Sequence, residues 1–139
     1  VTVRIQRVLE TALYCDDLQR TAAFYQRLLS TAPMLSSERL VAFDAGAATV
    51  LLLFQKGESI KRVQIAGGLV PAHDGSGPVH FAFAIDSADV SGWEARLSEL
   101  GIAIESRVTW EGGGRSIYFR DPDGRSVELA TPGTWPATY

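Results

Sequence analysis

One cysteine, Cys15, occurs in 139 residues, so neither an internal disulfide nor a thiolate metal cluster can form. Cys15 itself reads as a small strand residue rather than a reactive thiol. Basic charge is not concentrated anywhere: 13 Lys and Arg are interspersed with 16 Asp and Glu, for a net charge of −3. No basic patch invites nucleic acid and no polybasic run invites a membrane surface. Long apolar runs are missing too. The best, such as Val50–Phe54, is far too short to cross a bilayer, and the opening VTVRIQRVLE lacks the apolar segment of a secretory signal. These absences predict a cytoplasmic protein with no nucleic-acid and no membrane partner. What is present is ordinary globular composition, 46% hydrophobic and 21% charged, in a chain long enough for one domain with a substantial core or two very small repeats.

The most legible stretch is GRSIYFRDPDGRSVELAT, 114–131. Arg115–Arg120 and Arg125–Ala130 are β-rich runs, and Asp121-Pro122-Asp123-Gly124 between them supplies turn chemistry: a preset φ at Pro122, Asp side chains that bond local backbone, and a glycine that tolerates positive φ. Side chains alternate along a strand, so Val127 and Leu129 share one face while Ser126, Glu128 and Ala130 share the other. Glu128 thus lies among small residues on an inner face, where a carboxylate must reach water, find a cation, or be costly to bury.

Taken in order, Arg4–Tyr14 predicts a strand with Val8, Glu10, Ala12 and Tyr14 on one face. Asp16 or Asp17 caps a helix over Leu18–Leu29, with Pro33 just beyond its end. Short strands are expected at Met34–Ser36, Arg39–Asp44 and Thr49–Gln55. Lys56–Gly77 holds Gly57, Gly67-Gly68, Pro71, Gly75 and Gly77, and reads as a long mobile loop of the kind that covers active sites. Pro78–Ile85 is a strand with His80, Ala82 and Ala84 on one face. A helix over Ala88–Leu100 stops at Gly101, and Ile102–Trp110 is a strand before the turn Glu111–Gly114 and the closing hairpin. The order strand, helix, three strands therefore occurs twice, at an offset of about seventy residues. LETALYCDDL lies over VHFAFAIDSAD and TVLLL over SVELA, which sets Glu10 on His80 and Leu51 on Glu128.

The phrases ALYCDDLQRTAAFYQRLL, GPVHFAFAID and YFRDPDGRSVEL, in that order, resemble the vicinal oxygen chelate superfamily over roughly Val8 to Thr131. That superfamily includes glyoxalase I, extradiol dioxygenases, fosfomycin-resistance thiol transferases, methylmalonyl-CoA epimerase and the bleomycin-resistance proteins. The resemblance implies an α+β fold: two tandem βαβββ modules forming a curved, half-open mixed-sheet barrel with helices outside, completed within one chain or by exchange between two in a homodimer. A single such domain would span 1–139, with module one about 4–55, the mobile loop 56–77, module two about 78–131 and a tail 132–139 packed irregularly on the surface. It implies ligand positions on the first and last strand of each module, here Glu10, Leu51, His80 and Glu128. Leu51 cannot bind metal, a departure from glyoxalase I. Glu10 departs from the dioxygenases and thiol transferases, which usually carry His there.

The residues themselves point the same way, because Glu10, His80 and Glu128 each sit on the small-residue face of a strand whose other face is bulky and apolar. Two carboxylates brought together in a partly dry concavity repel by several kcal/mol at an effective dielectric of about 20. One must protonate unless a cation intervenes. Neutral His80 with two carboxylates balances one divalent ion, Zn, Ni, Co, Mn or Fe, and leaves positions open for water or a bidentate small-molecule substrate. Oxygen-activating iron sites usually present two His and one carboxylate, so isomerase or lyase chemistry on a molecule with vicinal oxygens leads, thiol transfer is carried beside it, and ring cleavage is expected less. Tyr118, across the hairpin from Glu128, is placed like a substrate-contacting Tyr of extradiol dioxygenases. Tyr14 is a second cavity candidate. His73 reads as a loop general acid or base, or as a turn residue; Lys56, Lys61 and Arg62 could receive an anion, or are simply solvated. The competing expectation is a metal-free binding protein resembling the bleomycin-resistance group. A structural homodimer is the third.

Overall fold

A computed structural model of the protein describes residues 2–136. It divides into two compact units, Val1–Ser76 and Gly77–Tyr139. The class is α+β, with mixed sheets and few helices.

In the first unit β1 (Glu10–Cys15) leads to α1 (Leu18–Leu29), then β2 (Leu35–Ser36), β3 (Leu40–Asp44) and β4 (Val50–Gln55). Helix α1 starts where expected because the Asp17 carboxylate accepts from the Arg20 amide at 3.2 Å, satisfying one of the helix's unpaired N–H groups. It ends with Ser30 in the left-handed region. Its buried stripe of Leu18, Tyr25 and Leu28 packs on the sheet, whose order is β1-β4-β3-β2 with β1 and β4 parallel. Leu13, Cys15, Leu51 and Leu53 face that stripe from the strands. Each large side chain withdrawn this way contributes roughly 1.5–3 kcal/mol. Cys15 is fully buried within this core, as its strand reading predicts.

Residues 56–77 are not structureless. The first unit continues into a hairpin of β5 (Val63–Ile65) and β6 (Gly68–Val70). β-branched Val63, Ile65 and Val70 flank Ala66-Gly67, and Gly68 takes φ +146, so a strand pair forms where counting glycines alone suggests open loop. The segment is also tied back, since His73 N–H donates to the Ser59 carbonyl at 2.9 Å and Gly57 N–H to Asp74 Oδ1 at 3.3 Å.

The second unit runs β7 (His80–Ala84), a short 3-10 turn, α2 (Val90–Glu99), β8 (Ser106–Thr109), β9 (Arg115–Arg120) and β10 (Ser126–Ala130). Its sheet order is β7-β10-β9-β8, with β7 and β10 parallel, the same pattern as the first unit. Gly101 closes α2 at φ +72. β8 is shorter than the predicted Ile102–Trp110 at both ends: Ile102 N–H still donates back to the Leu97 carbonyl of α2 at 2.9 Å, and Trp110 closes a turn, its N–H donating to the Gly114 carbonyl at 2.7 Å and the Gly113 N–H donating to the Trp110 carbonyl at 2.9 Å.

Strand register corrects one equivalence. Glu10 pairs with Val50 and Ala12 with Leu52, as His80 pairs with Ser126 and Ala82 with Glu128. The first-unit counterpart of Glu128 is therefore Leu52, not Leu51, which is buried on the helix side of β4. A one-residue slip moves every side chain to the other face, and the pattern TVLLL over SVELA conceals it. Neither leucine can ligate a metal.

Of the tail, residues 137–139 lie outside the described residues; 132–136 turn back over the loop 111–114. Gly133, at φ +96, lies directly on this loop: a Cβ on it would fall 2.6 Å from the Gly114 nitrogen, and one on Gly112 would fall 2.6 Å from the Gly133 carbonyl oxygen. A Cβ on Gly114 would strike the Gly133 and Thr134 backbone. Backbone cannot yield as a side-chain tip can, so Gly114→Ala is expected to lift the tail off the loop at a cost of about 1–3 kcal/mol. The checks are the thermal midpoint and the emission of Trp135, which should shift together.

Candidate functional site

Glu128 occupies the centre of β10, between Ala82 on β7 and Tyr118 on β9. Its side chain is only 8% exposed, whereas that of His80, at the start of β7, is 51% exposed. The two meet: His80 Nε2 lies 3.2 Å from Glu128 Oε1. The other ring nitrogen, Nδ1, is 2.9 Å from the Ser126 carbonyl oxygen. A carbonyl can only accept, so Nδ1 carries the hydrogen; in the neutral tautomer Nε2 then turns its lone pair towards the carboxylate, whereas an imidazolium would donate Nε2–H to it. Two acceptors facing each other at this distance need a proton or a cation between them. Neighbouring ligands of one first-row ion, each at about 2.0–2.2 Å from it, lie roughly 3–3.5 Å apart, so the pair fits a divalent metal.

The other carboxylate oxygen is held from behind. Ser116, buried on β9, donates its hydroxyl to Glu128 Oε2, and Trp110 donates its indole N–H to Ser116 Oγ at 2.7 Å. This chain of contacts is absent from the sequence reading, which singles out neither Ser116 nor Trp110. Ser116 precedes Tyr118 by two positions and shares its face, the one available signal.

Tyr118 stands beside both residues, opposite Glu128 in register and with its ring centroid 6.1 Å from that of His80. Its pKa is raised above the ordinary phenol value, first by burial and then by the Glu128 charge. The fold thus favours the protonated phenol. The associated stability is fully present below the unfolded pKa near 10 and is lost as pH rises through the higher folded value. An ultraviolet titration of tyrosinate is expected to show a component above the free-tyrosine range that Tyr118→Phe reduces by one tyrosine, the rest belonging to Tyr14; an unchanged curve would contradict this placement.

A cavity of about 880 Å³ opens over these groups, lined by His80, Tyr118 and Glu128 on the sheet, Trp110, Glu111 and Gly112 on the loop, and Gly133–Pro136 on the tail. The tail is therefore a wall of the site.

The remaining candidates belong to the first unit. Glu10 is exposed at the start of β1. Tyr14 and His73 are engaged with each other, the Tyr14 hydroxyl lying 2.7 Å from His73 Nδ1, and both rings pack on Phe54. Burial, and secondarily Asp74, raises the Tyr14 pKa. Among the described residues no group of three or more His, Cys, Asp or Glu side chains gathers into a metal site. Of the expected ligands, the structure brings together His80 and Glu128. No described helix is long and apolar enough to cross a membrane.

A metallothiol transferase FosB from Bacillus licheniformis is 34% identical over 117 residues, covering 84% of this chain and 69% of that protein. A fosfomycin resistance protein FosX from Mesorhizobium japonicum is 45% identical over a shorter stretch of 53 residues, 37% of this chain and 38% of that one. Among solved structures, lactoylglutathione lyase from Agrobacterium tumefaciens is 36% identical and superimposes with a TM-score of 0.83 over 95% of this chain and 98% of its own. The sequence model of the Glyoxalase/Bleomycin resistance protein/Dioxygenase superfamily matches residues 5–129, so the β7–β10 pair that presents His80 and Glu128, and nearly all of the chain around it, belongs to that superfamily, the vicinal oxygen chelate proteins.

Proposed function

We propose that this protein is a divalent-metal enzyme that joins or rearranges a thiol with a small molecule bearing adjacent oxygens, thiol transfer leading. The observation that carries the proposal is the convergence of His80 Nε2 and Glu128 Oε1, two acceptors 3.2 Å apart with a third potential donor beside them in Tyr118. The direction of the chemistry is supported by the relatives' names, which refer to a metallothiol, to fosfomycin and to lactoylglutathione.

In this reading His80 and Glu128 hold the ion, and Glu10 supplies a further carboxylate, the role that the resemblance implies for it. The metal, when bound, polarises a substrate oxygen as a Lewis acid. Around it the chain's own groups do the rest. Ser126 fixes the His80 tautomer that offers Nε2. Tyr118, kept as a phenol, hands its proton to an oxygen that gains negative charge. Trp110, Trp135 and Pro136 narrow the cavity and limit water around the reacting atoms. His73 enters the proposal as a proton-holding group of the first unit acting through Nε2, because Nδ1 is taken by Tyr14.

The test is metal analysis of the purified protein, reconstitution with Zn, Mn, Co, Ni or Fe, an assay of thiol consumption with fosfomycin and glutathione or cysteine, and, for the lyase reading, an assay of thiol release from S-lactoylglutathione. Metal-dependent turnover in either assay is the expected result. Failure to retain any of the five metals would sink the enzyme proposal and favour a metal-free binding protein, which tight small-molecule binding without metal would then identify.

A further inference from the structure

We infer that Trp110 is a positioning residue for Glu128, acting through Ser116; the inference rests on the metal reading above for its consequence but not for its geometry. Indole N–H has a single capability, donation. Trp110 Nε1 spends it on Ser116 Oγ at 2.7 Å. Ser116 is 1% exposed, so water does not compete for that oxygen, and its hydroxyl has one hydrogen to give. With Trp110 occupying the accepting side of Oγ, that hydrogen points to Glu128 Oε2. Glu128 is itself 8% exposed, and its Oε2 is thereby committed as an acceptor while Oε1 faces His80 Nε2. The direction of the protons along Trp110, Ser116 and Glu128 is set from both ends, since the indole can only donate and the ionised carboxylate can only accept.

The indole is in turn fixed by backbone. The turn that Trp110 closes with Gly113 and Gly114 holds its Cα at both hydrogen bonds, and Gly133 presses on that turn from the tail. No part of this device is a metal ligand or a group in the reaction. Its effect is to keep the Glu128 carboxylate in one orientation before any ion arrives, which lowers the reorganisation that binding would otherwise require.

The experiment is a double-mutant cycle on Zn affinity, measured by calorimetry with a competing chelator, for wild type, Trp110→Phe, Ser116→Ala and the double variant. Phe keeps the ring and removes only the N–H. Outer partners of metal ligands contribute about 10–100-fold in affinity, so each single variant is expected to bind Zn about tenfold or more weakly. If Trp110 acts through Ser116, the double variant matches Ser116→Ala alone. Additive losses, or wild-type affinity in Trp110→Phe, would overturn the inference.

A second readout uses the metal-free protein. The Trp110 indole signal in a ¹H–¹⁵N spectrum, assigned by its loss in Trp110→Phe, is expected to move in both Ser116→Ala and Glu128→Gln, the latter lying beyond direct contact. A signal indifferent to both substitutions overturns the relay. If wild type binds no Zn, Mn, Co, Ni or Fe while the indole signal still responds to Glu128→Gln, the metal reading fails and the positioning role stands.

Discussion

Glu128→Gln is expected to reduce divalent-metal affinity by more than about 100-fold, beyond the 10–100-fold range of an outer partner, while leaving the metal-free protein as stable as wild type or slightly more so. The two halves of this result have one cause. In the metal-free site a carboxylate that is 8% exposed directs Oε1 at His80 Nε2. At a pH where Nε2 carries no proton, the condition for the stability comparison, that arrangement is unfavourable without an ion, because the charge is largely desolvated and the facing group is another acceptor. Glutamine has the same shape. Its carbonyl oxygen still accepts from Ser116, and its amide N–H supplies the donor that His80 Nε2 lacks, a gain of about 1 kcal/mol for one satisfied buried bond. What it cannot supply is the negative charge, and a first-row ion held with one carboxylate fewer, by His80 and the Glu10 of the proposal, binds far more weakly. Calorimetric titration and chemical denaturation of the two metal-free proteins measure both halves. Loss of stability together with loss of metal would mean that Glu128 is a structural residue, and the functional proposal would lose its central group.

Arg125→Ala is expected to destabilise the protein by about 3–5 kcal/mol, the usual result of stranding a buried charge. The guanidinium is 3% exposed, and its Nη1 reaches Asp121 Oδ2 at 2.9 Å and Asp123 Oδ2 at 3.0 Å. Asp121 Oδ1 meanwhile accepts from the backbone N–H groups of Asp123 and Arg125. One side chain thus closes the turn between β9 and β10 by binding both acids there, its single charge offsetting one of their two. Total stability of a domain this size is of the order of 5–15 kcal/mol, so the loss brings the variant near its limit. Arg125→Lys should recover little, since a single ammonium does not reproduce a planar fork with several donors. Replacing the partners together, as in Asp121→Asn with Arg125→Met, should cost less than Arg125→Ala because only the Asp123 charge, rather than two charges, is left without its cation. Denaturation midpoints order these variants, and equal losses in the single and the paired variant would refute the stranded-charge explanation. The site is tied to this turn. It sets the register that places Tyr118 opposite Glu128, so a variant that folds with a frayed turn should also bind metal less tightly.

Local chemistry and periodicity in the sequence by themselves determined α1, the hairpin from Arg115 to Ala130, the small-residue faces carrying His80 and Glu128, and membership of the superfamily, because capping residues, turn residues and alternation act over a few positions and leave a readable pattern. Only tertiary structure decided that Leu52 rather than Leu51 corresponds to Glu128, that residues 63–70 pair as a hairpin, and that Trp110 and Ser116 stand behind the carboxylate. Those depend on register and on contacts between side chains separated along the chain, and a leucine run or an isolated Ser and Trp carries no local trace of either.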